Sequence, residues 1–167
     1  AKGECTQDPG GYFIVRGAER VCLSQEQLSK NRIILELDSK GNYSASVTSS
    51  TAERKSRTVV VLKNDLLYLA HNSLGDDLSV IVVLKAMGIT SDQEIAALIG
   101  PEPDVVAALA PSLHEAATLS ILTQAQALHH IGGRSKAHKA FNRPGVTNVE
   151  EGRSTLASLV LTHVPSA

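Results

Sequence analysis

Apolar and polar residues alternate with a period of two through the first half of the chain. Residues 33–37 and 43–47 carry apolar side chains at every second position, and the turn sequence Ser39-Lys40-Gly41-Asn42 separates them. Alternation of this kind is typical of strands that bury one face. The pattern therefore predicts a β-hairpin at this place.

Two further hairpins are predicted on either side of it. Thr58–Leu62 and Leu66–Ala70 are joined by three residues, a connection short enough to make them antiparallel neighbours. Near the start, the apolar runs Tyr12–Val15 and Val21–Leu23 flank a four-residue connection, Arg16–Glu19, whose glycine can take a positive φ. Together these segments indicate a small antiparallel sheet.

Helix signals replace the strand pattern in the second half. Two sequences, Ser91–Glu94 and Thr147–Glu150, fit a capping box. Helices are predicted over Leu78–Met87, Ser91–Ile99, Asp104–Leu109, Leu113–Leu119, Thr123–Ile131 and Val149–His163. Strands followed by helices predict an α+β fold, in which a sheet from the N-terminal half packs with C-terminal helices, and residues 1–167 suit a single domain.

Charge is distributed unevenly, although the net charge is only −1. No Lys or Arg occurs between Lys85 and Arg134, whereas that interval holds Asp92, Glu94, Glu102, Asp104 and Glu115. A basic stretch without acids follows and contains Arg134, Lys136, Lys139 and Arg143. We therefore expect two surfaces of opposite sign that serve different partners.

Cysteine content and hydropathy narrow the class of protein. Cys5 and Cys22 are expected to be free thiols, with Cys22 buried on a strand. The longest apolar run, Val80–Leu84, is too short to span a bilayer, and no secretory leader is evident. With 43% apolar and 20% charged residues, the composition is that of a soluble globular protein.

No catalytic or metal-binding motif stands out. Gly132–Lys136 lacks the ending of a phosphate-binding loop, and the histidines and cysteines have no zinc-ligand spacing. The acidic pairs Asp76-Asp77 and Glu150-Glu151 precede predicted helices, where they complement the helix dipole. A small-molecule enzyme built on Asp76-Asp77 and His71 is one hypothesis, but no nucleophile and base are spaced to support it.

Basic clusters are the remaining candidates for a functional site. Arg54, Lys55 and Arg57 form one, and Arg134, Lys136, Lys139 and Arg143 form the other. Phosphate contacts need only positive charge on flexible stems, so both clusters suit nucleic acid or an acidic partner. Solvated loops are the alternative interpretation. Phe141 is the only aromatic residue in the longer stretch, which argues against base stacking.

Several motifs resemble the second-largest subunit of multisubunit RNA polymerases. The first block is Gly11-Tyr12-Phe13-Ile14, Gly17, Glu19-Arg20-Val21 and Gln25-Glu26. The segments that are similar to the RNA polymerase III subunit are Gln25–Ile34, Ala45–Thr51, Lys55–Thr58, Lys85–Gly88, Ser91–Ile95 and Leu161–Pro165. The chain is thereby identified as a member of this family, and the missing initiating Met suggests a segment of a longer subunit.

The resemblance implies a role and a set of partners. The corresponding region is the lobe, which walls the DNA cleft near downstream DNA, carries a TFIIF-like subunit heterodimer and contacts the largest and other subunits. Residues 1–27, with Glu19, Arg20, Gln25 and Glu26, would form the junction with the rest of the subunit. This places the chain in a nuclear enzyme, a nucleotidyltransferase that transcribes small non-coding RNAs such as tRNA and 5S rRNA, and away from membranes.

Catalysis is expected elsewhere in that enzyme. The family's catalytic aspartates belong to the largest subunit, so no catalytic residue, metal site or cofactor is expected in this chain, while Mg²⁺ and Zn²⁺ are expected elsewhere in the assembly. A protein-interaction module that never touches nucleic acid is the alternative. Salt dependence separates the two, because counterion release makes nucleic-acid affinity fall steeply with salt.

Overall fold

The computed structural model of the protein describes residues 3, 5–39, 41–136, 145–158 and 160–164. The strands are β1 (Phe13–Val15), β2 (Ala18–Arg20), β3 (Ile33–Leu37), β4 (Tyr43–Ser50), β5 (Lys55–Lys63), β6 (Leu66–His71) and β7 (Leu78–Ser79). The helices are α1 (Val80–Ala86), α2 (Asp92–Ile99), α3 (Pro103–Thr118), α4 (Gln124–Gly132) and α5 (Asn148–Ser158). The predicted α+β class is confirmed.

Strands β3 to β7 form one antiparallel sheet in sequential order. Leu35 lies opposite Ala45, Ala45 opposite Val60, and Val60 opposite Leu69. Side chains alternate across a strand, so these four share one face of the sheet. We call it the helix face, because α1 and α5 lie on this side.

The first hairpin turns more tightly than the sequence predicted. Its connection is two residues, Arg16 and Gly17, with φ of 53° and 78°, and β2 begins at Ala18. Two successive left-handed residues match the right-handed twist of paired strands, so the short turn is preferred. The predicted strand over Val21–Leu23 is wrong, and Cys22 is exposed rather than buried.

Two helix predictions also need correction. Leu78 and Ser79 form β7 rather than the first turn of a helix, so Asp76 and Asp77 precede a strand. The two helices predicted around Pro111 are one continuous helix, α3. Burial compensates for the hydrogen bond that proline removes: Ser112 is fully buried, and its Oγ accepts a hydrogen bond from the Leu67 backbone N–H at 2.9 Å.

Capping differs among the helices. The capping box predicted at Thr147 is present, and hydrogen bonds from the Thr147 backbone and side chain hold the pKa of the Glu150 carboxyl below its usual value. Ser91 makes no side-chain cap. A second box joins Thr123 and Gln126 at α4. Each box satisfies backbone N–H groups that the first helical turn leaves unpaired.

The core lies where α1 meets the sheet and the other helices. Leu78, Ile81, Ile95, Leu109 and Ile131 are buried there. Every helix within the described ranges is too short or too polar to span a bilayer.

Helices α4 and α5 cross in close contact through two glycines. A Cβ on Gly132 would overlap the backbone of Asn148, and one on Gly152 would overlap the carbonyl oxygen of Leu128. The two helices can approach this closely only because neither glycine has a side chain.

Two distant parts of the chain are fastened to the end of β4. The Asn31 side chain accepts a hydrogen bond from the Ser50 backbone N–H at 2.7 Å and donates one to the Ser50 carbonyl at 3.3 Å. Ser49 is fully buried, and its Oγ lies 2.9 Å from Thr162 Oγ1 and 2.8 Å from His163 Nδ1. The segments around residues 31 and 163 are therefore neighbours.

Candidate nucleic-acid interface

The three residues of the first basic cluster do not share one surface, because they occupy different positions on the β4–β5 hairpin. Lys55 and Arg57 lie two residues apart on β5 and project from the face opposite the helices. Arg54 lies in the turn before β5, and its guanidinium donates to the Ser158 carbonyl at 3.4 Å. The structure therefore brings Lys55 and Arg57 together and directs Arg54 toward the end of α5.

A row of hydroxyl groups accompanies these two cations. Ser44, Ser46 and Thr48 occupy alternate positions of β4; Thr48 lies opposite Arg57, whereas Ser46 is buried. We call this side of the sheet the polar face. Hydroxyl groups beside cations are common donors to phosphate oxygens, so the polar face suits a nucleic-acid backbone.

An acidic residue offsets part of the charge on this face. An oxygen of the Glu36 carboxylate lies 3.8 Å from the Arg57 guanidinium, and more than half of each side chain is exposed. Such exposed pairs contribute little to stability and exchange readily with other ligands. Arg57 can therefore leave Glu36 for a phosphate.

The second basic cluster is attached to the loop between β6 and β7. The backbone N–H of Lys136 donates to the Ser73 carbonyl at 3.0 Å, and its Nζ donates to the Asn72 carbonyl at 2.9 Å. The Arg134 carbonyl accepts a hydrogen bond from Gly75 N–H. Lys139 and Arg143 lie outside the described residues.

A shallow pocket of about 250 Å³ lies between Arg57 and the β6–β7 loop, and Asp76 and Asp77 are among its lining residues. Arg57 lines it from the sheet, and residues 72 and 74–77 line it from the loop to which Lys136 is bonded. The sequence had no signal for this arrangement, because Arg57 and the β6–β7 loop come together only through the fold.

Ionic pairing at the pocket weakens the small-molecule enzyme hypothesis. The Asp77 carboxylate forms a 2.7 Å ion pair with Lys63, and His71 Nδ1 lies 2.5 Å from the Ser73 hydroxyl in a local turn. Among the described residues, no group of three His, Cys, Asp or Glu side chains could hold a metal ion. The geometry supplies a charged surface rather than a set of converging catalytic groups.

The junction residues predicted from sequence lie on the first hairpin and just after it. Glu19 and Arg20 belong to β2, opposite Ile14 and Phe13, and Gln25 and Glu26 follow in a segment without regular secondary structure. The apolar residues of the hairpin are exposed as well, including Phe13 and Ile14. A surface of this composition is typical of an interaction site.

Acid is expected to destabilise the protein through His130 on α4. Burial, followed by the positive charges of Arg134 and His129, lowers the pKa of His130 from its usual 6.5. Because the pKa of His130 is lower in the folded state, the unfolded chain binds the proton more readily. The contribution of neutral His130 to the free energy of unfolding is therefore complete above about pH 6.5 and is lost as the pH falls through the folded pKa. Thermal unfolding midpoints between pH 8 and pH 5 should decline less for His130→Gln. Identical declines would show that another group is responsible.

Comparison with known proteins places most of the chain in one family. The profile described as "RNA polymerase Rpb2, domain 2" matches residues 29–164. The chain is 57% identical over 170 residues to the DNA-directed RNA polymerase III subunit rpc2 of Dictyostelium discoideum, and 53% identical over 166 residues to subunit RPC2 of Schizosaccharomyces pombe. It is 33% identical over 144 residues to the DNA-directed RNA polymerase subunit Rpo2N of Halobacterium salinarum. The resemblance found in the sequence is confirmed.

These relatives are much longer than this chain. The match to the Dictyostelium protein covers 99% of this chain but 10% of that protein. The match to the Schizosaccharomyces protein covers 98% of this chain and 14% of that protein. The match to the Halobacterium protein covers 84% of this chain and 27% of that protein.

Proposed function

Because the chain belongs to the RNA polymerase Rpb2 domain 2 family, we propose that it forms the lobe of the second-largest subunit of DNA-directed RNA polymerase III. In this role it walls the DNA cleft and docks partner subunits during transcription of small non-coding RNAs in the nucleus. The observation that carries the proposal is the identity of 57% and 53% across nearly the whole chain to RNA polymerase III subunits.

The polar face of the sheet supports contact with DNA. Lys55 and Arg57 project from it beside the hydroxyl groups of β4, and Lys136 is held at the neighbouring loop. Contacts of this kind bind the phosphate backbone without reading sequence. A domain that borders the DNA cleft must accept DNA of any sequence, and phosphate contacts have this property.

The acidic helices support docking of a partner protein such as the TFIIF-like heterodimer. Asp92 and Glu94 lie in the first turn of α2, and Asp104 in that of α3. Leu98 and Ile99 are exposed on the same α2 helix. Apolar contacts bordered by charge are common in protein–protein interfaces.

Catalysis in the proposed assembly is assigned to other parts of the enzyme. The described side chains form a binding surface, and the Mg²⁺ and Zn²⁺ of the polymerase would be held by other residues. The lobe then contributes by positioning DNA and subunits, with the largest subunit and the remaining subunits completing the cleft.

Neutralising the polar face is expected to weaken DNA binding and its salt dependence. In the assembled polymerase, the double variant Lys55→Gln/Arg57→Gln removes two candidate phosphate contacts. Each lost contact lowers the slope of log affinity against log salt by about 0.9, so the slope should fall by roughly two units. Equilibrium binding of downstream duplex across a salt series measures this.

Lys63→Gln is the matched control, because Lys63 projects from the same face of β5 but is already paired with Asp77. Its salt slope should remain close to that of the unaltered enzyme. An unchanged slope for the double variant would contradict DNA contact through this face. It would favour the alternative, a protein-interaction module without nucleic-acid contact.

A further inference from the structure

The helix face of the sheet is only partly covered. Helix α1 lies over β6 and β7, whereas among the described residues β3 and β4 make at most marginal contact with any helix. Ile33, Leu35, Leu37 and Tyr43 project from this uncovered area and are 68%, 80%, 62% and 68% exposed. Four large apolar side chains in one contiguous patch are unusual on a protein surface that faces water.

The patch continues into an apolar groove between the sheet and the helices. The groove has a volume of about 450 Å³ and runs from Ile33 and Val47 to Leu84 on α1 and to Leu156 and Val160. Its lining contains no ionisable side chain, and Thr58 is its only polar residue. A lining of this composition is typical of the interior of a domain rather than of its surface.

The scarcity of charge indicates a permanent occupant: a hollow of about 600 Å³ over Leu35, Leu37 and Tyr43 has one charged residue in its lining, Glu36. Transient interfaces are about as polar as the rest of the protein surface, whereas obligate interfaces are more hydrophobic and resemble the interior of a domain. A segment that belongs to the same polypeptide and stays bound suits a groove of this kind. The acidic surface on α2 and α3 has the opposite character.

The length of the relatives identifies the source of this occupant. The chain covers 14% of the Schizosaccharomyces subunit and 10% of the Dictyostelium one, so most of such a polypeptide lies outside these 167 residues. A sheet that buries one face in a two-layer fold is usually completed by helices. Helix α1 already occupies this layer over the other half of the same face.

We propose that the uncovered part of the helix face, from Ile33 to Tyr43, is the seat of an amphipathic helix contributed by the remaining sequence of the same subunit. This inference rests on the proposed function, since it requires the chain to be part of the longer subunit. The face is then an internal packing surface of that subunit, and it is not available to DNA or to the partner that docks on the acidic helices.

Photo-crosslinking in the assembled polymerase tests the proposal. A p-benzoylphenylalanine residue is introduced at position 35 of the subunit, the purified enzyme is irradiated, and the crosslinked peptides are identified by mass spectrometry. The expected product joins position 35 to a peptide of the same polypeptide outside these 167 residues, without the mass of a second subunit. A crosslink to another subunit, to DNA or to a second copy would overturn the proposal, as would no crosslink.

Position 36 is the matched control. Glu36 is adjacent on β3 but projects from the polar face, so the same probe there should not capture the position 35 peptide. If the bulky probe prevents assembly, maleimide labelling of Leu35→Cys and Glu36→Cys answers the question. We expect labelling of Leu35→Cys to be at least tenfold slower than that of Glu36→Cys, and equal rates would overturn the proposal.

The outcomes also separate this inference from the proposed function. A crosslink from position 35 to a different polymerase subunit would reject the inference and leave the lobe assignment intact. A polymerase that binds cleft DNA and docks its partner subunits normally when residues 1–167 are deleted would reject the lobe assignment itself.

Discussion

Gly152→Ala is expected to lower the free energy of unfolding by about 3 kcal/mol. The added methyl group would overlap the Leu128 carbonyl oxygen and approach the Gly132 backbone nitrogen, and backbone atoms cannot rotate away as a side chain can. Alanine is also a better helix former than glycine, so any loss must come from the crossing of α4 and α5. Urea unfolding of the purified protein measures the change.

Gly133→Ala provides the control for this substitution. Gly133 lies at the end of the same α4 helix with φ of −63°, and the nearest atom to an added Cβ is the His129 carbonyl oxygen at 3.7 Å. Alanine there should be neutral or should stabilise the protein by a few tenths of a kcal/mol, roughly. Equal effects of the two substitutions would contradict the close helix crossing.

Asp92→Asn is expected to destabilise the protein by about 2 kcal/mol. Lys85 is 2% exposed, and its ammonium group has two acceptors, Asp92 Oδ1 at 3.1 Å and the Ile121 carbonyl at 3.4 Å. Removing the carboxylate would leave a buried cation with weaker compensation. The Asp92 side chain is half exposed, so water moderates the loss.

A double-mutant cycle identifies the source of that loss. Lys85→Met keeps most of the buried volume without the charge, and it should be neutral or slightly stabilising on its own. In the Lys85→Met background, Asp92→Asn should then cost less than about 0.5 kcal/mol. If Asp92→Asn costs the same in both backgrounds, its effect comes from the first turn of α2 rather than from Lys85.

Local sequence was sufficient to predict most of the fold. The period of two located β3 and β4, the short connection after Leu62 located β5 and β6, and the capping box at Thr147 marked the start of α5. These signals depend on residues within a few positions of each other, so they survive in any tertiary context. One error arose where a distant contact dominates: Pro111 lies inside α3, next to Ser112, which is buried and hydrogen-bonded to β6.

The candidate site was predicted only in part for the same reason. Sequence identified Lys55, Arg57, Arg134 and Lys136 as basic residues, but it gave no indication that Arg57 and Lys136 both lie beside the β6–β7 loop. It also grouped Arg54 with its neighbours, although the turn directs Arg54 toward α5. Which charges share a surface depends on strand register and loop docking, and composition contains neither.

The hydrogen bonds from Asn31 and His163 to the end of β4 bring two segments that are distant in sequence together. Residues 29 and 164 bound the family match, and the chain close to both of these limits converges on Ser49 and Ser50. Because the two ends of the matched segment lie side by side, the segment can be inserted into a longer chain without separating the sequences that flank it.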